Sequence, residues 1–433
     1  MNDRPRLLFV SPRFLFPADS GGKIRTSEIL RNLKGGAFSI TLACPASPAQ
    51  LSRHARELEQ VADRLLTWPA QGAGPLARLL RAQHIFSRLP IPVATDRSEA
   101  GSRAVVAAMA NEPAVVVFDF AHAAVLAPAS LQSVASVLFT HNVEAEIFAR
   151  HAAVARNPLL RWIWRGQHRK MLRFEGEALR RFDDVIAVSE RDGAAFQRDY
   201  GCARVSVIPT GVNLDYFDYR GPGAGRGVVF IGSMDWLANI DAVEYLMDEV
   251  WPQVAATVPD ARMTIIGRAP PAHLVNRARE RNLNWTFTGR VDDVRPHAAE
   301  AAVCVIPLRI GGGTRIKAFE AMSMGLPVVS TSIGVEGLEI ERDEHYLCAD
   351  SASGLASSLI ELLQSPSLGR ELAERARAHV AAHFSNAVVG RRFEAICLQT
   401  LSARHPRATR EMPPGAGVPG ERPENHRLTQ SSH

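Results

Sequence analysis

The residue types best suited to chemistry lie close together between Arg309 and Ser330, in RIGGGTRIKAFEAMSMGLPVVS. Gly311, Gly312 and Gly313 follow the apolar run Cys304 to Leu308 and precede a helix-forming segment, so the spacing predicts a strand, a loop and a helix in succession. Glycines let backbone N–H groups approach an anion closely, and the next helix adds unpaired amides and the positive end of its dipole, a combination suited to phosphate. Thr314 is the expected N-cap, and Arg315 and Lys317 bring positive charge to a diphosphate at the helix start. Glu320, three residues beyond Lys317 on a neighbouring face, offers a carboxylate to two adjacent hydroxyls such as a ribose presents. Taken alone, the same residues also describe a flexible turn with a solvated charge pair, and a short motif has a high false-positive rate.

Five further positions join this set. Gly21 and Gly22 stand between the apolar run RLLFVSP and the amphipathic segment KIRTSEILRNL, where an open α/β sheet places ligands, although a plain turn before a helix reads the same way. Gly232 closes GVVFIGSM in a third glycine loop. His122 and His141 each fall just past an apolar run, AVVVFDF and VASVLFTHN, so each is carried outward at a strand end, and an ordinary loop histidine competes with a functional one.

The elements around these residues alternate. Strands are expected at Arg6 to Pro12, Phe38 to Pro45, Ala114 to Phe120, Val134 to Asn142 and Asp183 to Glu190, with Pro48 to Leu66 mostly helical and Ser189 an N-cap. Arg220 to Gly227, rich in Gly and Pro, reads as a linker. Strands resume at Gly227 to Met234, Ala261 to Arg268 and Leu283 to Val291, and helices close the chain. The expected fold class is therefore α/β, with two Rossmann-like, doubly wound parallel-sheet domains. The divisions are residues 1–207, a linker at 208–226, a second domain at 227–384, a helix at 385–402 returning to the first domain, and a disordered tail at 403–433.

Composition narrows the function classes. The 433 residues are 46% hydrophobic and 22% charged, an ordinary globular balance. Cys44, Cys202, Cys304, Cys348 and Cys397 are scattered and odd in number, which suggests neither a disulfide framework nor a zinc site. Absence of a spanning apolar stretch and of a signal-peptide pattern points to a cytoplasmic protein. Asp292 and Asp293 come nearest to a divalent-ion pair but read better as a helix N-cap and its solvated neighbour, so no metal and no other cofactor is expected. The net charge of +5 is mild. Residues 155–182 interleave arginines with Trp162, Ile163, Trp164, Met171, Leu172 and Phe174, either a peripheral contact with an anionic membrane or tryptophans packed on the domain with solvated arginines.

In order along residues 6 to 400, SPRFLFPADSGGKIRTSEIL, FTHNVEAEIF, DDVIAVSE, VIPTGVNLDYF, FIGSMDW and GGGTRIKAFEAMSMGLPVV together resemble glycosyltransferase family 4, retaining enzymes of the GT-B fold, with FTHNVEAEIF and GGGTRIKAFEAM most similar to the exopolysaccharide-assembly branch. The resemblance implies transfer of a sugar from a nucleotide-sugar to a glycan or lipid-linked acceptor, with no nucleic-acid partner. It also implies that Glu320 holds the ribose hydroxyls, that Arg315 and Lys317 bind the diphosphate, that Gly21 and Gly22 face donor phosphate and acceptor, and that His122 and His141 lie near the transferred sugar. Two departures stand out. The glutamate the family commonly has eight positions before Glu320 is here Gly312, and the Arg and Lys often found after the first strand of the second domain are replaced by Ser233 and Asn239. Two rival readings share the scaffold: a nucleotide-sugar 2-epimerase that needs no acceptor, and a non-catalytic donor-binding subunit, which the loss at Gly312 suggests.

Overall fold

The computed structural model describes residues 4–70, 83–155, 157–218, 220–310 and 316–404. Seven strands form the first sheet: β1 (Arg6–Val10), β2 (Ser39–Pro45), β3 (Arg64–Trp68), β4 (Val115–Asp119), β5 (Ala135–Phe139), β6 (Asp184–Ala187) and β7 (Val205–Val207), in the order β3-β2-β1-β4-β5-β6-β7. Six form the second: β8 (Gly227–Ile231), β9 (Arg262–Ile266), β10 (Trp285–Gly289), β11 (Val303–Ile306), β12 (Val328–Ser330) and β13 (Leu347–Cys348), in the order β10-β9-β8-β11-β12-β13. Every strand pairing is parallel. Strand order reverses between β1 and β4 in one sheet and between β8 and β11 in the other, and those reversals open crevices at the carboxyl ends of the strands.

Continuous apolar strands follow from burial on both faces. Leu7 and Phe9 of β1 point to one layer with Phe38, Val117 and Phe139, while Leu8 and Val10 point to the other with Val116, Phe118 and Phe196. The helix Asn386–Arg404, last in sequence, covers the first of these layers: the Phe393 ring lies 6.5 Å from Phe9 and 5.2 Å from Phe139. Close approach requires Gly390, where a Cβ would stand 2.5 Å from that of Asn32 on the Gly21–Leu33 helix. The chain thus passes through the second sheet and returns to finish the core of the first.

Two expectations are corrected. The helical stretch from Pro48 ends at Val61, and Arg64–Trp68 is an edge strand paired with β2. Asp63 accounts for the switch, since its carboxylate accepts the Ile40 N–H at 2.7 Å and pairs with Lys34 at 2.7 Å, pinning the chain to the sheet edge where a helix would otherwise continue. Neither Asp292 nor Asp293 is the N-cap, a position held by Val294, and Asp293 is more than a solvated neighbour: it accepts the Arg295 N–H at 2.9 Å and pairs with the Arg295 guanidinium at 2.7 Å. All five cysteines are free thiols.

Candidate active site

At the end of β4, Asp119 is fully buried and accepts hydrogen bonds from Ser11 Oγ at 3.1 Å and Thr26 Oγ1 at 3.0 Å. His141, just past β5, closes the set with Nε2 at 2.8 Å from Asp119 Oδ1. Burial lowers the His141 pKa against the pull of Asp119, so the ring is neutral with its proton on Nε2, which leaves Nδ1 as an acceptor. Phe120 stacks on this imidazole at 4.0 Å with a backbone φ of 67°, and its ring explains Gly22, where a Cβ would lie 2.5 Å from Phe120 Cζ. A Cβ at Gly21 would meet nothing within 4 Å.

Arg25, on the same first helix, was not singled out by sequence reasoning. Its guanidinium donates to Thr140 O at 2.8 Å and Ile208 O at 2.6 Å and lies 4.4 Å over the Phe139 ring. Burial brings its pKa down to about 9, with Asp119 and Asp192 opposing. Arg25 Nε and Thr210 Oγ1 are buried polar atoms without a partner among the described residues, and both residues line the cleft between the sheets. Only the positive charge of Arg25 was legible in the sequence; its burial required the helix to dock on β5.

His122 lies in the 3-10 turn Ala121–Leu126 and does not line that cleft. Its Nδ1 is 3.4 Å from Asp96 Oδ2 and its Nε2 is 3.4 Å from Glu144 Oε2. Burial alone would depress this imidazole, but the two carboxylates outweigh it and raise the pKa to about 9. The ring is a cation at neutral pH, held behind the cleft wall rather than at its surface.

Across the cleft, the helix Ile316–Ser323 carries Lys317 and Glu320. Lys317 Nζ is 3.3 Å from Asn239 Oδ1 and 5.8 Å from the centre of the Phe230 ring, and Asn239 Nδ2 donates at 2.7 Å to Ser233 O. One residue therefore ties the loop after β8 to the Lys317 helix. Gly232 is a packing glycine in that loop: its N–H donates to Ile266 O at 2.8 Å, and a Cβ would meet Phe230 and Asn239 at 2.8 and 2.9 Å. Burial raises the Glu320 carboxyl above its ordinary value, with Lys317 opposing.

These parts enclose a lobe of about 480 Å³ that brings together Gly21, Gly22, Arg25, His141 and Glu320 with Tyr216 of the crossover. A second lobe of about 280 Å³, lined by Glu146, Arg150, Arg191, Asp192 and Glu336, shares Asn142, Val188, Thr210 and Ile316 with the first. Neither Lys317 nor Gly232 lines either lobe. Gly311, Gly312, Gly313, Thr314 and Arg315 lie outside the described residues. Among the described residues no group of three or more His, Cys, Asp or Glu is arranged to hold a metal ion.

Comparison with known proteins agrees with this architecture. Residues 20–216 match the family model described as Glycosyltransferase Family 4, and residues 225–365 the one described as Glycosyl transferases group 1. Similar curated proteins include the phosphatidyl-myo-inositol mannosyltransferase of Mycolicibacterium smegmatis, 29% identical over 182 residues, which cover 40% of this chain and 46% of the relative. The GDP-mannose:cellobiosyl-diphosphopolyprenol alpha-mannosyltransferase of Xanthomonas campestris is 30% identical over 191 residues, covering 40% of this chain and 48% of the relative. The chain thus spans less than half the length of these curated relatives. Among solved structures, Anabaena HepE in complex with UDP superposes with a TM-score of 0.61 at 13% identity, covering 91% of this chain and 100% of that one, a likeness of fold alone. With one family model on each sheet, in the order the fold requires, the chain belongs to the family 4-like glycosyltransferases of the GT-B fold.

Proposed function

We propose that the protein is a retaining glycosyltransferase that moves a sugar from a nucleotide-sugar to a glycan or lipid-linked acceptor in cell-surface or exopolysaccharide assembly. The observation that carries this reading is the placement of Glu320 in one cleft lobe opposite Gly21, Gly22 and His141, with Lys317 one turn away on the same short helix. Glu320 accepts the ribose hydroxyls, and Lys317, with Arg315 from the sequence, neutralises the charge that grows on the departing diphosphate. We assign the chain no protein nucleophile and no metal: the acceptor oxygen bonds to the anomeric carbon on the face from which the diphosphate departs, and the departing diphosphate takes the acceptor's proton. Neutral His141 presents Nδ1 to a sugar hydroxyl, and His122, charged between Asp96 and Glu144, positions the strand ends.

GDP-mannose is the donor to try first, because two relatives named above are mannosyltransferases and one is named for GDP-mannose. A thermal-shift panel of GDP-, UDP- and ADP-sugars tests the reading, followed by transfer assays with lipid-linked acceptors. A raised melting temperature with one donor, and a product seen only when acceptor is present, is the expected result. Conversion of the donor without acceptor would replace the transferase reading with an isomerase. Failure of every nucleotide-sugar to bind would remove both.

A further inference from the structure

We infer that the helix Pro158–Leu179, with the turn beside it, is a docking face for an anionic lipid bilayer. The helix is anchored from within. Asn157 caps its start by accepting the Leu159 N–H at 2.8 Å, while Met171, Glu175, Ala178 and Leu179 are buried. Glu175 fixes it further, accepting the Glu144 and Ala145 N–H groups at 2.8 and 3.1 Å and the Tyr200 hydroxyl at 2.8 Å. Trp164 belongs to this inner side as well, stacked on His151 at 4.9 Å. The opposite side is therefore held facing solvent.

That side combines two features water does not require together. Arg161, Trp162, Arg165, Arg169, Leu172 and Arg173 recur at helical spacing and share one exposed face, with Trp162 67% exposed. From Pro158 to Arg173 the helix has no acidic residue. Arg165, Arg169 and Arg173 make no hydrogen bond or ion pair among the described residues, whereas Arg150 on the neighbouring Glu144–Val154 helix pairs with Glu146 at 3.1 Å. The apolar surface continues at Leu159, 63% exposed, and at Phe86, 89% exposed, in a turn held to the helix by Lys170 Nζ donating to Ile85 O at 2.6 Å.

A partner that satisfies both features must offer dense negative charge and an apolar layer within a side chain's length of each other. A bilayer surface does so: phosphate headgroups take the guanidinium groups, and the acyl boundary takes the indole, phenyl and leucine side chains. Among the described residues no helix is long and apolar enough to cross a membrane, so the contact is one of lying on the surface. The inference does not rest on the sugar-transfer reading, and its test uses no donor.

The full chain is sedimented with vesicles of phosphatidylglycerol mixed with phosphatidylcholine, and with vesicles of phosphatidylcholine alone. The expected outcome is binding to the anionic vesicles only, weakening as salt is raised. A variant carrying Arg165→Glu, Arg169→Glu and Arg173→Glu should lose at least about tenfold in partitioning. Trp162→Ser should reduce the blue shift of tryptophan emission on binding. These side chains are exposed, so unchanged circular dichroism and melting temperature should accompany both losses. Equal partitioning of wild type and the triple variant, or no preference for anionic lipid, would overturn the inference. So would a wild-type dimer in light scattering that the same substitutions dissociate while vesicles go unbound, since the face would then meet a second copy of the chain.

Discussion

On the first-sheet side of the cleft, buried polar groups are largely paired with one another: Asp119 with Ser11, Thr26 and His141, Arg25 with two backbone carbonyls although its Nε is left over, His122 with Asp96 and Glu144. On the second-sheet side, Lys317 Nζ lies 3.3 Å from the Asn239 amide oxygen, and burial raises the Glu320 carboxyl above its ordinary value. One wall is built from buried groups paired with one another, while the other sets a cation and a carboxyl together on one short helix at the cleft. Pre-assembly ties the first wall to stability, and the second wall can be altered with effects mainly on binding and turnover.

The sharpest way to break this contrast is Asp119→Ala, which strands three buried partners. It should cost about 3–5 kcal/mol in denaturant unfolding, the penalty for removing one member of a buried charged set. Lys317→Ala should instead lower turnover by about 10²–10³-fold while leaving the unfolding midpoint near that of the wild type. A comparable loss of stability would mean that the second wall is pre-assembled too.

His122 supplies a pH test. Its folded pKa of about 9 lies above the ordinary 6.5, so the stability it contributes is fully present below pH 6.5 and is lost as pH rises through 9. About 3 kcal/mol should disappear across that window in unfolding measurements, and His122→Gln should flatten the profile. Smaller again is the difference between neighbouring glycines. Gly22→Ala forces the Phe120 ring aside and should cost about 1–3 kcal/mol, whereas Gly21→Ala, with open space around it, should leave stability within about 0.5 kcal/mol and affect only ligand affinity. Glu320→Gln should weaken donor binding by about tenfold. In the wild type, affinity should fall on acidification at a pH above that of an ordinary carboxylate, because the protonated acid offers fewer acceptor sites.

Local pattern carried much of this protein. Continuous runs such as Val115–Asp119 announced buried parallel strands, Ser189 announced a cap that accepts the Asp192 N–H at 3.2 Å, and the segment around Lys317 and Glu320 announced the helix Ile316–Ser323, whose Ile316 and Glu320 line the cleft. Such features depend on neighbours within a few residues, and their periodicity is written in order. What only the tertiary structure decided depends on contacts between distant segments. Gly22 reads as a loop glycine until Phe120 is packed against it, and Arg25 reads as a surface charge until Thr140 and Ile208 take its N–H groups. His122 reads as a strand-end histidine until two carboxylates, one 26 residues before it and one 22 after, enclose it as a cation. Burial and charge pairing belong to the assembled molecule, since a residue's dielectric surroundings and partners come into being only when remote parts of the chain meet.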